Sequence, residues 1–225
     1  MKFHLLKWSV RKYLSPLRLM NYLRLLATSK KSYLRRKGWI RSLLKACPCD
    51  QNGLALPWMN YSFLFFIEER LNDQMTLLEF GSGFSTQYWA RHVESVYSVE
   101  HDEFFSNLLK AKLPSNAHLL LHSKDNTIPY CEYAKVAFKE NSEVCFDIVV
   151  IDGIDRVDCC RYSLDFLKDD GVVVWDDSQR EEYAECYGML YEKGFRKLEF
   201  EGIKPCSRGV DRTAVFYRDK NCLGI

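Results

Sequence analysis

"LLEFGSGFSTQYWA", Leu77 to Ala90, decides the fold of this chain. An apolar, strand-like run ends in Gly81-Ser82-Gly83, and a helix-like run follows at once. A strand that turns through two glycines into a helix brings its backbone close to a ligand. Glu79, two residues ahead of the glycines, limits what that ligand can be.

Working outward, apolar periodicity predicts helices and strands in alternation. Helix 61–71 precedes strand 76–80, helix 85–93 precedes strand 95–100, and helix 103–113 precedes strand 117–123. The run "CFDIVVID" (145–152) reads as a buried strand, followed by helix 156–170 and strand 172–177. Helix 180–194 closes at Gly194, and runs 196–202 and 212–218 read as an antiparallel pair. Strands alternating with helices of this length imply a doubly wound, mostly parallel α/β sheet covered on both faces. Ligands of such sheets bind at the carboxyl ends of the strands. Five successive strand ends here carry an acid or a glycine turn: Glu79–Ser85, Glu100–Asp102, Ser123–Asp125, Asp152–Arg156 and Asp176–Ser178.

Gly81-x-Gly83-x-x-Thr86 is a near miss to the dinucleotide fingerprint, because Thr86 stands where a glycine or alanine allows close helix packing. Glu79 also opposes a pyrophosphate at this turn, since like charges repel there. A ligand with an ammonium group is attracted instead. S-adenosylmethionine carries that group, a sulfonium, a carboxylate and a ribose, and no phosphate. The helix start near Ser85 and Thr86 would meet its carboxylate. Glu100, 21 residues after Glu79 at the end of the second strand, has the spacing of an acid that reaches ribose hydroxyls.

Composition fits an enzyme-sized folded unit. The chain has 225 residues, 47% hydrophobic and 28% charged, enough for one sizeable core with an appendage. Its nine cysteines are odd in number, irregularly spaced and without a Cys-x-x-Cys pair, which argues for a reducing compartment and against a disulfide scaffold or zinc site.

The net charge of +2 conceals an asymmetry. Residues 1–49 hold thirteen Lys or Arg and no acid, whereas the remainder holds nineteen against thirty. Leu5, Trp8, Val10, Leu14, Leu17, Met20 and Leu23 recur at helical spacing through this arm, interrupted near Pro16. No run approaches the ~18–20 uncharged apolar residues of a membrane span, and charges interrupt any secretory core. Three readings of the arm stand: a basic amphipathic element on an anionic membrane face, a mitochondrial transit segment, or a helical extension packed on the domain or a partner. No nucleic-acid recognition motif accompanies the charge, so no nucleic-acid partner is expected. The division expected is therefore residues 1–50 as a basic helical extension and 51–225 as the ligand-binding domain. The expected location is the cytoplasm, at the inner membrane face, with the mitochondrion as the alternative.

"LEFGSGFST", "VYSVEHD", "FDIVVIDG" and "GVVVWDD" together resemble the class I S-adenosylmethionine-dependent methyltransferases over residues 55–225. "SVEHD", "IDGIDR", "DDSQREEY" and "VFYRDKNCLGI" are similar to small methyltransferases of bacterial polysaccharide and natural-product gene sets. The resemblance implies a Rossmann-like, seven-stranded sheet of order 3-2-1-4-5-7-6 with the last strand antiparallel. It implies that Glu79, Gly81, Ser82, Gly83, Ser85 and Thr86 shape the methionine pocket, that Glu100 binds the ribose, and that His101 flanks the adenosine. Asp125 in "HSKDN" would accept from the adenine amine, and Asp152 would border the cofactor.

Methyl transfer needs in-line placement of the acceptor and, for a hydroxyl, removal of a proton. Asp152, Asp176 and Asp177 end adjacent strands, and three carboxylates converging there repel one another unless a cation or an acceptor hydroxyl joins them. Oxygen ligands suit Mg2+ or another hard divalent ion. The layout is similar to the metal site of catechol-type and macrolide-sugar O-methyltransferases, although Ser178 stands where some of them carry an amide ligand. Two other readings remain: Asp176 or Asp177 as a metal-free base, or Asp177 or Ser178 as the cap of a helix starting near Arg180. Trp58 and Tyr61 are candidates to cover the cofactor, and Arg156 and Arg180 to hold an acidic sugar or phosphate. The function expected is O-methylation of a glycan or related small acceptor at a membrane surface. The alternatives are an NAD(P)-dependent oxidoreductase and a non-catalytic membrane-docked scaffold.

Overall fold

The computed structural model describes residues 15–122, 128–133 and 145–225. Its centre is a seven-stranded sheet of order β3-β2-β1-β4-β5-β7-β6. The strands are β1 (Thr76–Phe80), β2 (Ser95–Glu100), β3 (Ala117–Leu121), β4 (Phe146–Ile151), β5 (Leu167–Asp176), β6 (Arg196–Gly202) and β7 (Asp211–Tyr217). The first five pair in parallel, and β7 runs antiparallel to both β5 and β6. Every residue of β4, "FDIVVI", is buried, as a central parallel strand with both faces covered requires.

The helices are α1 (Ser15–Thr28), α2 (Tyr33–Arg36), α3 (Trp39–Lys45), α4 (Tyr61–Glu68), α5 (Phe84–Trp89), α6 (Glu103–Lys110), α7 (Arg156–Ser163) and α8 (Ala184–Glu192). They cover two apolar cores, one on each sheet face. Trp175, Tyr183, Tyr187 and Phe216 anchor one, and Phe63, Ile67, Trp89 and Val174 the other. Asn60 ties helix to sheet: its Oδ1 caps α4 by accepting from Phe63 N at 2.9 Å, and its Nδ2 donates to Thr213 Oγ1 at 3.0 Å.

Three elements depart from the periodicity. The helix expected over 156–170 stops at Ser163, and β5 begins at Leu167 because Leu167 pairs with Phe146. The ladder shifts register between Phe146 and Ile148, so β5 absorbs extra residues, and Lys168 Nζ reaches Asp147 at 2.9 Å. Sheet pairing thus overrides the local helical pattern. The helix expected over 180–194 divides into a 3₁₀ turn at Glu181–Tyr183 and α8.

The arm does not end at residue 50 as a packing unit. Ser42 is fully buried and its Oγ donates to Cys49 O at 2.8 Å; Trp39 Nε1 donates to Ser207 O at 2.9 Å. Gly38, at φ +87°, presses against Cys49 and Asp50 so closely that a Cβ would come within 2.3 Å of the Cys49 carbonyl oxygen. From Ser32 onward the arm is part of the fold, whereas residues 16–26 of α1 are all exposed. Among the described residues no helix is long and apolar enough to cross a membrane. All nine cysteines are free.

Candidate active site

A cavity of about 710 Å3 opens at the carboxyl ends of β1, β2 and β4. Gly81 to Ser85 form one wall, Glu100 to Asp102 and Phe105 a second, and Asp152 to Ile154 a third. Ala46, Pro48, Trp58 and Cys206 complete it from the arm and the β6–β7 loop. The motif residues at 81–85, 100–101 and 152 therefore meet in one place. Ala46, Pro48 and Cys206 carried no sequence signal, because only packing brings the arm to the sheet edge.

The glycines have distinct reasons. Gly81 has φ +94°, and a Cβ there would lie 2.9 Å from the backbone of Asp152 and Gly153. It lets the ends of β1 and β4 touch. Gly83 is extended, and a Cβ on it would meet nothing closer than 3.8 Å. The protein itself does not need that glycine. A side chain there would instead occupy the cradle beside Ser85 and Phe105, which is the space a ligand requires.

Glu79 is placed otherwise than expected. It does not line the cavity and is fully buried. Its Oε2 accepts from Thr86 Oγ1 at 2.6 Å and Ser98 Oγ at 2.7 Å, and its Oε1 from Trp89 Nε1 at 3.1 Å. Thr86 Oγ1 also accepts from Gly83 N at 2.9 Å. This explains the threonine in the near-miss fingerprint: it relays Glu79 to the glycine turn. Burial pushes the Glu79 carboxyl above its ordinary range, opposed by hydrogen bonds from Ser85, Thr86, Ser98 and Trp89. The residue braces the loop from behind and makes no direct approach to a ligand ammonium.

Glu100 does line the cavity and is 3% exposed. Its Oε2 accepts from Ser82 N at 3.0 Å, and its Oε1 from His101 N and Asp102 N, both at 2.8 Å. One carboxylate thus fixes two walls and, with three of its about four acceptor sites filled, keeps capacity for one ligand hydroxyl. The His101 ring sits at the cavity with Nδ1 3.2 Å from Glu100 Oε1. Tyr130, absent from the sequence reading, donates to Val99 O at 2.8 Å behind Gly153. Asp125 lies outside the described residues. Tyr61 is buried away from this cavity, whereas Trp58 stands on its rim, 57% exposed.

The three aspartates do converge, but not as a metal site. Lys204, from the β6–β7 loop and 5% exposed, places Nζ 2.8 Å from Asp176 Oδ2 and 2.6 Å from Asp177 Oδ1. Asp176 Oδ1 accepts from Thr213 Oγ1 at 2.7 Å. Asp177 Oδ2 accepts from Arg180 at 2.6 Å and lies 3.6 Å from Arg156. Arg156 also donates to Asp152 Oδ1 at 3.2 Å and to the Asp176 carbonyl. The chain's own cations hold the oxygens that a divalent ion would need, so this donor set does not fit Mg2+. Among the described residues no group of three or more His, Cys, Asp or Glu is arranged to hold a metal. Ser178 does not cap a helix: its Oγ donates to Glu199 at 2.9 Å. Arg156 and Arg180 are committed to these internal pairs.

The three acids differ electrostatically. Burial, then the charge of Asp176, holds Asp152 well above the carboxylate range. Burial also raises Asp176, against the pull of Lys204. Burial pushes Asp177 up too, but Lys204, Arg156 and Arg180 outweigh it and leave Asp177 below its ordinary value. Of the three, only Asp152 faces the cavity.

Residues 78–178 match the family model described as a methyltransferase domain. Among solved structures, the O-methyltransferase TomG of Streptomyces achromogenes, involved in tomaymycin synthesis and in complex with SAM, is similar at TM-score 0.55 and 15% identity, over 88% of this chain and 94% of its own. An rRNA methylase of Streptococcus thermophilus is similar at TM-score 0.50 and 14% identity, over 68% of this chain and 92% of its own. Precorrin-6y C5,15-methyltransferase of Geobacter metallireducens is similar at TM-score 0.50 and 13% identity, over 70% and 87%. At these identities the likeness is one of fold. No curated protein matches the sequence.

Proposed function

We propose that this chain, which belongs to the class I S-adenosylmethionine-dependent methyltransferases by its methyltransferase domain and its sheet order, methylates a hydroxyl of a glycan or related small acceptor. The observation that carries the choice of oxygen is Asp152. It is a carboxyl on the cavity wall, raised by burial and by the charge of Asp176, with no fitting metal site beside it. A hydroxyl acceptor must lose a proton as it is methylated, and a general base is most effective with a pKa near the operating pH.

When bound, S-adenosylmethionine supplies an activated methyl on a good leaving group. The chain's residues do the rest. Gly83 leaves the cradle open, and Glu100 receives a ribose hydroxyl while holding the loops around it. Asp152 takes the acceptor proton and becomes neutral, and Arg156, which donates to Asp152 Oδ1, holds the ionised carboxylate in place beforehand. Trp58 and Phe104, 57% and 74% exposed on the rim, offer flat apolar faces beside these polar groups. That combination suits a sugar ring, apolar on its faces and polar at its edge.

Calorimetry with S-adenosylmethionine and with NAD tests the cofactor half: the first should bind one to one and the second should not. Methyl-labelled cofactor offered with a panel of mono- and oligosaccharides tests the acceptor half. Label in an alkali-stable O-methyl ether supports the reading; label on nitrogen or carbon overturns it. With that acceptor, Asp152→Asn should lower kcat by about 10²–10⁴ and remove the acid limb of the pH–rate profile, leaving cofactor affinity nearly unchanged.

A further inference from the structure

Helix α1 is apolar over most of its circumference. Arg18, Asn21, Arg24 and Thr28 form one polar stripe at spacings of three, three and four. Leu17, Leu19, Met20, Tyr22 and Leu23 occupy the rest and are between 56% and 71% exposed. Such a face in contact with water is unfavourable, because each apolar side chain returned from water gains on the order of 1.5–3 kcal/mol. Among the described residues the side-chain hydrogen bonds to α1 from outside it fall near its C-terminal end, where Leu26 O accepts from Ser32 Oγ at 2.5 Å and Thr28 O from Arg35 at 2.7 Å.

A second cavity, of about 930 Å3, lies where α2 meets α4 and β6 and shares no lining residue with the first. Lys31, Arg36, Lys37 and Arg70 line it between the rings of Phe65 and Phe66. Lys37 Nζ sits 4.9 Å from the Phe65 ring centre and the Arg70 guanidinium 4.1 Å from that of Phe66. Its one carboxylate, Glu69, is 3.9 Å from Arg70.

Charge supplies the identity of the partner. Residues 15–49 contain nine Lys or Arg and no acid. Among the described residues none of the nine forms an ion pair, although the rest of the chain carries an excess of acids. Their charges are therefore not neutralised within the described fold, although Arg35 and Arg41 donate to backbone carbonyls. An exposed apolar helix joined directly to a groove in which four cations, Lys31, Arg36, Lys37 and Arg70, face one carboxylate complements a surface that is apolar below and anionic above.

We propose that α1 and the Lys31–Arg36–Lys37–Arg70 groove together form a docking surface for an anionic phospholipid bilayer, with α1 lying in the interface and the groove receiving a phosphate headgroup. The same arm lines the methyl-transfer cavity through Ala46 and Pro48, so docking and catalysis share one structural element. This site is separate from the cofactor cavity, and its failure would leave the methyltransferase reading intact.

The test is cosedimentation of the full chain with vesicles of phosphatidylcholine alone and of phosphatidylcholine mixed with phosphatidylglycerol. The chain should sediment with the mixed vesicles at low salt, stay in solution with the neutral ones, and be released near 1 M salt, where the Debye length falls to about 3 Å. Lys31→Ala and Arg36→Ala should each weaken partition about fivefold, the effect of one basic residue near such a surface. Leu19→Asp with Leu23→Asp should weaken it more than tenfold. Every variant should bind S-adenosylmethionine as the parent does, since none touches that cavity. Equal sedimentation with both vesicle types, or none with either, overturns the proposal. Displacement from the vesicles by inorganic phosphate at equal ionic strength assigns the groove to a soluble phosphate and also overturns it. If ultracentrifugation shows a dimer that the α1 variant dissociates while vesicle partition is unchanged, a second copy covers the helix and the bilayer does not.

Discussion

Glu79 and Asp176 are both buried carboxylates near the ends of strands in one sheet, yet the chain neutralises them by different means. Around Glu79 every partner is a neutral donor: three hydroxyls and an indole. Around Asp176 the principal partner is a cation, the buried Lys204, supported by the Thr213 hydroxyl. Neutral donors fix a carboxylate through directional bonds and bring no further charge to the glycine turn. A buried cation supplies charge as well, and that charge reaches Asp152 and Asp177 across the same strand ends. One end of the site is braced by geometry, and the other is tuned by electrostatics.

Removing the cation should break this contrast most severely. Lys204→Met leaves Asp176 buried without its counter-charge, and breaking a buried pair on one side costs about 3–5 kcal/mol. The variant's Tm should fall by roughly 10 °C or more at neutral pH. Asp176 then takes up a proton more readily in the folded state, so the deficit should shrink as pH falls. A melt unchanged within a degree or two would show that Lys204 does not carry this charge balance.

The next effect belongs to Glu100, which lines the cavity at the braced end. Glu100→Ala removes the acceptor for three backbone N–H groups and for the ribose. S-adenosylmethionine affinity should fall by about 1.5–3 kcal/mol by calorimetry, with the fold retained. Unchanged affinity would remove Glu100 from the cofactor site.

The finest test uses the opposite directions of two pKa shifts. Burial raises Glu79, so its contribution to stability is present below its unfolded pKa and is lost as pH rises through the folded value. Asp177 is lowered on balance, so its contribution is present at neutral pH and is lost as pH falls through the folded value. Denaturant unfolding across pH should therefore show Glu79→Gln improving relative to the parent as pH rises. Asp177→Asn should worsen over the same change and converge with the parent in acid. Parallel curves for the two variants would show that the two ends are not neutralised differently.

The glycine turn, the strand-end acids and the alternation of elements were legible in the sequence because each is a local pattern. Leu77–Phe80 alternates too little to be anything but a buried strand, and Gly81 and Gly83 mark where the backbone must turn and open. The β5 start was not legible. Residues 164–170 look helical locally, and only the partner strand at Phe146 draws Leu167 into the sheet. The site chemistry divides in the same way. The convergence of Asp152, Asp176 and Asp177 follows from strand order, which periodicity and family resemblance supply. Lys204 lies 27 residues from Asp177 in a loop with no motif, so its arrival between two carboxylates required the β6–β7 hairpin to fold back.

The sequence by itself determined the alternation of strands and helices, the place of the glycine turn and the charge asymmetry of the arm, because all three are written in residue types at short spacing, whereas the sheet order came with the family resemblance. Only the tertiary structure decided that Glu79 braces the loop from behind and that a lysine stands where a metal was expected. It also decided that the arm from Ser32 onward belongs to the fold. Each of these depends on which side chains distant segments bring within about 3 Å of one another, and long-range packing sets that distance where local pattern does not.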